Sequence, residues 1–225
     1  MNDWVFEVVY TGSDDGVPDM QTWLDAVVPV WTALPALASL DLYRPIESGA
    51  HDPFNDDGRG PLFIALLAFP NRGALGNAIG REIFGSRPQG LGFTGTCFER
   101  RFYPVAGDSK VTELSAPFSY VVRYHRPAED EGAFIRNYVE THPPTLAKLP
   151  GIRSVMCYFP QDILAPAMPA ADTMIGNEVV FDDVEAFNAA MQSPVRQELR
   201  RHFREFPPFT GRNTHFPMNR TRLFG

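Results

Sequence analysis

The chain repeats itself once. Leu34-Pro35-Ala36-Leu37 through Leu42-Tyr43 is echoed by Leu149-Pro150-Gly151-Ile152 through Cys157-Tyr158, an offset of 115 residues from Leu34 to Leu149. The same offset carries Trp23 onto Tyr138, Leu24 onto Val139, Asp25 onto Glu140 and Pro29 onto Pro144. Solenoid repeats run to roughly 20–50 residues, so a longer unit repeated only once reads as duplication of a small domain. The reading divides the chain into units over residues 1–107 and 117–225, joined by a linker over 108–116. Each unit is long enough, at about 110 residues, to bury a modest core of its own.

Within each unit the patterning predicts the same order. β-Branched and aromatic residues over 5–10 end in a Gly/Asp-rich turn, which marks a strand. Apolar residues from Met20 to Leu34 recur at helical spacing behind Asp19, a helix-capping residue type. A strand over 39–43, a polar surface loop over 44–60, a strand over 62–69, a helix over 71–84 and a strand over 96–103 complete the first unit. The second runs strand 118–125, helix 130–149, strand 153–159, proline-rich loop 161–171, strand 177–181, a helical stretch 183–203 interrupted near Pro194, and strand 214–223. Phe69, Ala74, Leu75 and Ile79 match Phe181, Ala186, Phe187 and Met191 at an offset of 112 residues, so the second loop is the shorter. The order β-α-β-β-α-β is the ferredoxin-like split unit, which carries helices on one sheet face only. The fold class expected is therefore α+β: two such repeats packed sheet to sheet as an internal pseudo-dimeric α/β barrel. Independent beads on a linker would each expose a large apolar sheet face.

A net charge of −7 offers nothing to offset phosphate repulsion, which argues against a nucleic-acid surface. The basic run Arg196–His202 is interrupted by acid and reads as a solvated helix face. Cys97 and Cys157 provide neither a disulfide framework nor a metal site by spacing, and both read as reduced, buried strand residues. No metal and no cofactor is expected. The N-terminal residues lack a basic region followed by an apolar stretch, and the longest apolar run, 61–70, is too short to span a bilayer. The expectation is a cytoplasmic protein without membrane partners, either a monomeric pseudo-dimer or a homodimer.

Chemistry concentrates in the second unit. Tyr138 and His142 are four residues apart and share a helix face with Phe134. Pro143 and Pro144 follow, and neither can donate to the carbonyl one turn back, so the helix is expected to bend or loosen beside the imidazole. A histidine merely hydrogen-bonded at a kinked helix end is the alternative.

This segment resembles the EthD family of dimeric α/β-barrel proteins. The resemblance rests on the aromatic-x3-His-x-Pro pattern of Tyr138, His142 and Pro144, the following Leu149-Pro150-Gly151, and the later run Phe187-Asn188-Ala189-Ala190-Met191-Gln192-Ser193-Pro194. It covers most of residues 117–225. It implies a ferredoxin-like fold with a pocket between helices and sheet, and relatives that include accessory proteins of ether degradation and cofactor-free enzymes acting on aromatic polyketides. Only His142 and Tyr138 match its pocket motif directly. In the first unit Val27 stands where His142 stands and Ala36 replaces Gly151, which suggests one active copy and one scaffold copy.

Further candidates come from strand parity. Tyr120, Val122 and Tyr124 alternate with Val121, Arg123 and His125, so one set faces the helices. Were Arg123 and His125 in that set, they would bind an anionic or phenolic substrate; otherwise they face the barrel seam or solvent. Tyr124 and Tyr158 are candidate substrate contacts, although Tyr158, like Tyr43, ends a strand where tyrosine more often packs than reacts. His215 is a weaker candidate. Gly90 to Gly95 fits G-x-G-x-x-G but runs from helix into strand, the reverse of the dinucleotide context. Asp52, Asp56 and Asp57 with His51 lack regular ligand spacing and read as surface loop. The functional expectation is a cofactor-free enzyme (oxygenase-, decarboxylase- or cyclase-like) or a binding protein for a hydrophobic, aromatic small molecule. His142 would be the acid/base and Tyr138 would orient the ligand. A non-catalytic assembly or sequestering module is the second reading, and a haem-handling barrel with His142 as axial ligand a third, by fold analogy.

Overall fold

Strand Asn2–Thr11 (β1) buries both its faces. Phe6, Val8 and Tyr10 pack beneath helices, while Val5 and Glu7 point the other way. That pattern recurs along Phe63–Phe69 (β3), Phe118–His125 (β5) and Thr173–Phe181 (β7), where every residue is buried. A sheet buried on both faces needs two partners, and here the second partner is the sheet itself, closed into a barrel. The computed structural model that shows this describes residues 2–12, 17–46, 49–55, 57, 60–80, 92–105, 116–163 and 168–225. The linker expected at 108–116 lies, except for Ala116, outside the described residues, as do positions 81–84 of the expected second helix.

The remaining elements are Val17–Thr32 (α1), Ser39–Pro45 (β2), Arg72–Ile79 (α2), Gly92–Tyr103 (β4), Glu131–Leu146 (α3), Ser154–Pro160 (β6), Val184–Met191 (α4), Pro194–Glu205 (α5) and Asn213–Phe224 (β8). All pairings are antiparallel, in the closed order β1-β3-β2-β8-β5-β7-β6-β4. This is the expected α+β barrel. The runs β4-β1-β3-β2 and β8-β5-β7-β6 each have the ferredoxin-like order, and their outer strands pair as β2·β8 and β4·β6. Closure removes every free sheet edge. Three cores result: one beneath the first-half helices, one beneath the second-half helices, and one inside the barrel.

The halves agree to single hydrogen bonds. Leu37 donates to the Leu34 carbonyl at 3.2 Å and Ile152 to the Leu149 carbonyl at 3.3 Å. Ala38 donates to Ala68 and Arg153 to Val180, both at 2.8 Å. Between them Ala36 and Gly151 hold left-handed backbone, at φ 59° and 73°. Glycine adopts that conformation freely, and Ala36 adopts it against its own preference because the turn demands it. Asn71 caps α2 through the Ala74 N–H, and Asp183 caps α4 through the Ala186 N–H.

The two prolines of α3 do not break it. The helix runs on to Leu146, with the Thr141 and Thr145 hydroxyls donating to the carbonyls of Asn137 and Thr141 at 2.8 and 2.9 Å. The interruption expected near Pro194 is present: α4 ends at Met191 and α5 restarts with Pro194 in its first turn, where a missing N–H costs nothing.

Candidate functional site

Register places the floor of a cavity in the second half. Asn177, Val122 and His215 lie on one rung across β7, β5 and β8, and Ile175, Tyr124 and Asn213 lie two residues along each strand. With a period of two, these side chains share the helix-facing side. The walls come from α3 with His142 and Leu146, and from α5 with Arg196, Leu199, Arg200 and Phe203. They enclose about 50 Å³, room for a few water molecules.

The loop after β2 closes the remaining side. It belongs to the first half in sequence, but several of its described residues are fastened to the second half. Asn188 of α4 accepts from the His51 N–H at 2.8 Å and donates to the Gly49 carbonyl at 2.7 Å. Asp52 is buried and accepts from Arg196 Nη2 at 2.8 and 2.7 Å and from the Tyr120 hydroxyl at 2.8 Å. Burial alone would favour the neutral acid at Asp52. The Arg196 hydrogen bond and charge, with donors from Phe54 and Tyr120, outweigh it and hold the carboxyl below its ordinary range. Burial and the adjacent Asp52 charge push the Tyr120 hydroxyl well up, so it remains a donor. Asp57 reaches His215: its Oδ2 lies 2.8 Å from Nδ1 and 2.7 Å from the backbone N. The hydrogen bond from His215 is the main cause holding the Asp57 carboxyl low.

The expectation of a solvated surface loop is thus corrected at Asp52, which is buried; Asp57 stays exposed and still reaches His215. Asp56 lies outside the described residues. The two placed carboxylates are directed to Arg196 and His215, and no group of three or more His, Cys, Asp or Glu among the described residues is arranged to hold a metal. Arg196 is likewise not on a solvated helix face. It is buried on Asp52, with its guanidinium over Phe54 at 4.9 Å.

His142 lines the cavity but is chemically muted. Its ring sits 4.9 Å from Tyr138 and 5.3 Å from Phe206, and its Nδ1 is buried without a partner. Burial first, then the charges of His202, Arg196 and His215, push its pKa down to about 3. It is therefore a neutral hydrogen-bonding group across the ordinary pH range, not one that titrates near neutrality. Tyr124 lines the cavity, whereas Tyr138 and Phe134 are completely buried behind it; Phe134 meets Phe206 and Phe209 edge-on and Tyr138 meets Phe206 at a tilt.

Arg123, His125 and Tyr158 face elsewhere. Arg123 has the opposite parity to Tyr124 and pairs inside the barrel with Glu7, its guanidinium 4.6 Å from the Tyr158 ring. Tyr158 donates to Glu178, which also accepts from Ser119 at 2.6 Å. His125 is held by Asp172 and Thr214. None of the three touches the cavity of His142, so the parity that would have made Arg123 and His125 substrate ligands is not the one realised. Of the nucleotide-like glycine run, Gly90 lies outside the described residues and Gly92 to Gly95 are within β4. No described helix is long and apolar enough to cross a membrane.

The first half differs at a residue that lines the cavity in the second. At the position matching Leu146 stands Trp31, fully buried against Trp23 at 5.5 Å, and Trp23 in turn lies 4.9 Å from Tyr10.

No family model matches the chain, and no curated protein matches it. Among solved structures, an anthrone oxidase-like protein superposes with a TM-score of 0.62 at 11% identity, over 99% of this chain and 93% of its own. A variant of chlorite dismutase from Candidatus Nitrospira defluvii gives 0.55 at 12% identity, over 96% and 90%. An EthD family protein from Bacillus halodurans C-125 is 24% identical over 44% of this chain and 96% of its own, with a TM-score of 0.34. The two full-length likenesses show the fold: a dimeric α/β barrel of the ferredoxin-like type, here contained in one chain.

Proposed function

We propose that the second-half cavity binds a small, largely apolar molecule and that His215, held by Asp57, moves a proton on it without a cofactor. The observation that carries this is the Asp57–His215 contact at 2.8 Å on the cavity wall. A carboxylate on Nδ1 fixes the ring tautomer and orientation, leaves Nε2 as the base, and stabilises the imidazolium once formed. The proton passes from an acidic C–H or O–H of the substrate to Nε2, and the electron pair remains on the substrate as enolate or phenolate. His142, neutral and with Nδ1 unpartnered, serves as an orienting hydrogen-bond group. The acid/base role expected of His142 is thereby moved to His215, and Tyr138 is reassigned from orienting the ligand to packing behind it.

The test is exchange of activated C–H hydrogens for deuterium in D2O, followed by NMR over a panel of small enolisable ketones, aldehydes and keto acids. Exchange that is lost in His215→Ala and retained in His142→Gln supports the assignment. Exchange that persists in His215→Ala removes it. Binding without exchange across the panel favours the sequestering reading, which draws support from the small size of the cavity. A haem reading finds no fit: about 50 Å³ does not admit a macrocycle, and the His142 ring is packed between Tyr138 and Phe206.

A further inference from the structure

Helix α5 sets Arg196 and Arg200 four residues apart, so both reach the cavity from one face. Their electrostatic situations differ. Arg196 is neutralised by Asp52, and His215 has Asp57 beside it. Arg200 has no carboxylate within ion-pair distance among the described residues, and its Nε is buried with no hydrogen-bond partner. The rings of Phe54 and Phe203 flank its guanidinium at 5.4 and 5.1 Å, restricting its orientation and its hydration. Among the described residues, the wall therefore carries one positive charge without a carboxylate beside it. The rings offset part of the water that the cation has lost, but they supply no hydrogen-bond acceptor or negative charge, and an incoming anion supplies both.

We infer that the cavity takes a small monocarboxylate whose anionic group sits on Arg200. The inference rests on the pocket reading above and adds the charge of the ligand. A carboxylate fits better than a phosphate because one cation balances one negative charge; the guanidinium fork would hold either group by two oxygens. The rest of the cavity suits a short apolar body: Val122 and Val179 from the floor, Leu146 and Leu199 from the helices. Val122 shares its rung with His215, so a molecule anchored on α5 and lying on that floor reaches the proposed base.

The test uses acetate and propionate, each beside its neutral amide, titrated into the full chain while the imidazole resonances of His142 and His215 are followed by NMR. The expected result is that both acids shift these resonances and bind more tightly than their amides. Arg200→Gln should then weaken the acids by roughly tenfold or more while leaving the amides unchanged. Arg201→Gln, at an exposed position on the same helix, should change neither. Acids and amides binding alike, or acid affinity unaltered in Arg200→Gln, overturns the anion assignment and leaves the pocket standing. Failure of all four probes to move either histidine overturns the pocket reading together with this one.

Discussion

Oδ2 of Asp57 lies 2.8 Å from Nδ1 of His215 and 2.7 Å from the backbone nitrogen of the same residue. One carboxylate oxygen thus fixes both an imidazole ring and the strand that carries it. Asp57 comes from the first half and His215 from the last strand of the second, so this pair exists only when the barrel has closed. The duplication supplies two copies of a fold; the loop after β2 makes one site from them.

Asp57→Asn should lower D2O exchange on the order of a hundredfold with the overall fold intact, because an amide no longer stabilises the imidazolium. The pH dependence has a defined sign. The Asp57 carboxyl is held low in the folded protein, chiefly by His215, so its stabilising contribution is present above the ordinary carboxylate value of about 3.9. That contribution is lost as pH falls through the lower folded value. Thermal melts of the two proteins should differ near neutrality and converge in acid.

His142 makes an opposite kind of titration claim. Its pKa falls from 6.5 in the free residue to about 3 in the folded chain, so the unfolded chain binds the extra proton first. The neutral ring therefore costs nothing above pH 6.5, and folding loses stability progressively as pH drops from 6.5 towards 3. His142→Leu should flatten the decline in melting temperature across that window. An NMR titration in which the His142 ring protonates near pH 6 would contradict the burial argument.

The architecture was legible because duplication and strand order are written in apolar spacing, which register and core must respect. The polar site was much less legible. His142 has the residue type and motif of a catalytic group, but Tyr138, Phe206 and neighbouring charges disable its titration, and those neighbours come from three-dimensional packing. Arg123 and His125 share one parity in the sequence, but parity alone does not say which face meets helices and which meets the barrel interior. Asp52 and Asp57 were hidden by composition, since Gly, Asp and Pro in a loop read as solvent-facing. Length was the usable signal: the loop expected over 44–60 is longer than a simple connection needs, and such loops are often functional.

The Asp52–Arg196 pair is the strongest fastening of that loop, and removing one partner leaves the other buried without compensation. Asp52→Ala should cost about 3–5 kcal/mol in chemical denaturation, well above a surface ion pair. The double change Asp52→Leu with Arg196→Leu should recover much of the loss, since no charge is then stranded. Equal destabilisation in the single and double variants would mean that the loop is held by Asn188 and packing instead.

The contrast between halves yields a direct exchange experiment. Trp31 occupies in the first half the position that Leu146 occupies in the second, and it is completely buried where Leu146 borders the cavity. Trp31→Ala should cost about 3–5 kcal/mol through the void it leaves, with no effect on probe binding at His142 and His215. Leu146→Trp copies the first-half residue into the second and should fill the cavity, at an overpacking cost of about 1–3 kcal/mol. Its expected signature is loss of propionate and propionamide binding together, by contrast with Arg200→Gln, which spares the amide. Retained binding of either probe in folded Leu146→Trp would place the ligand somewhere other than between α3, α5 and the sheet.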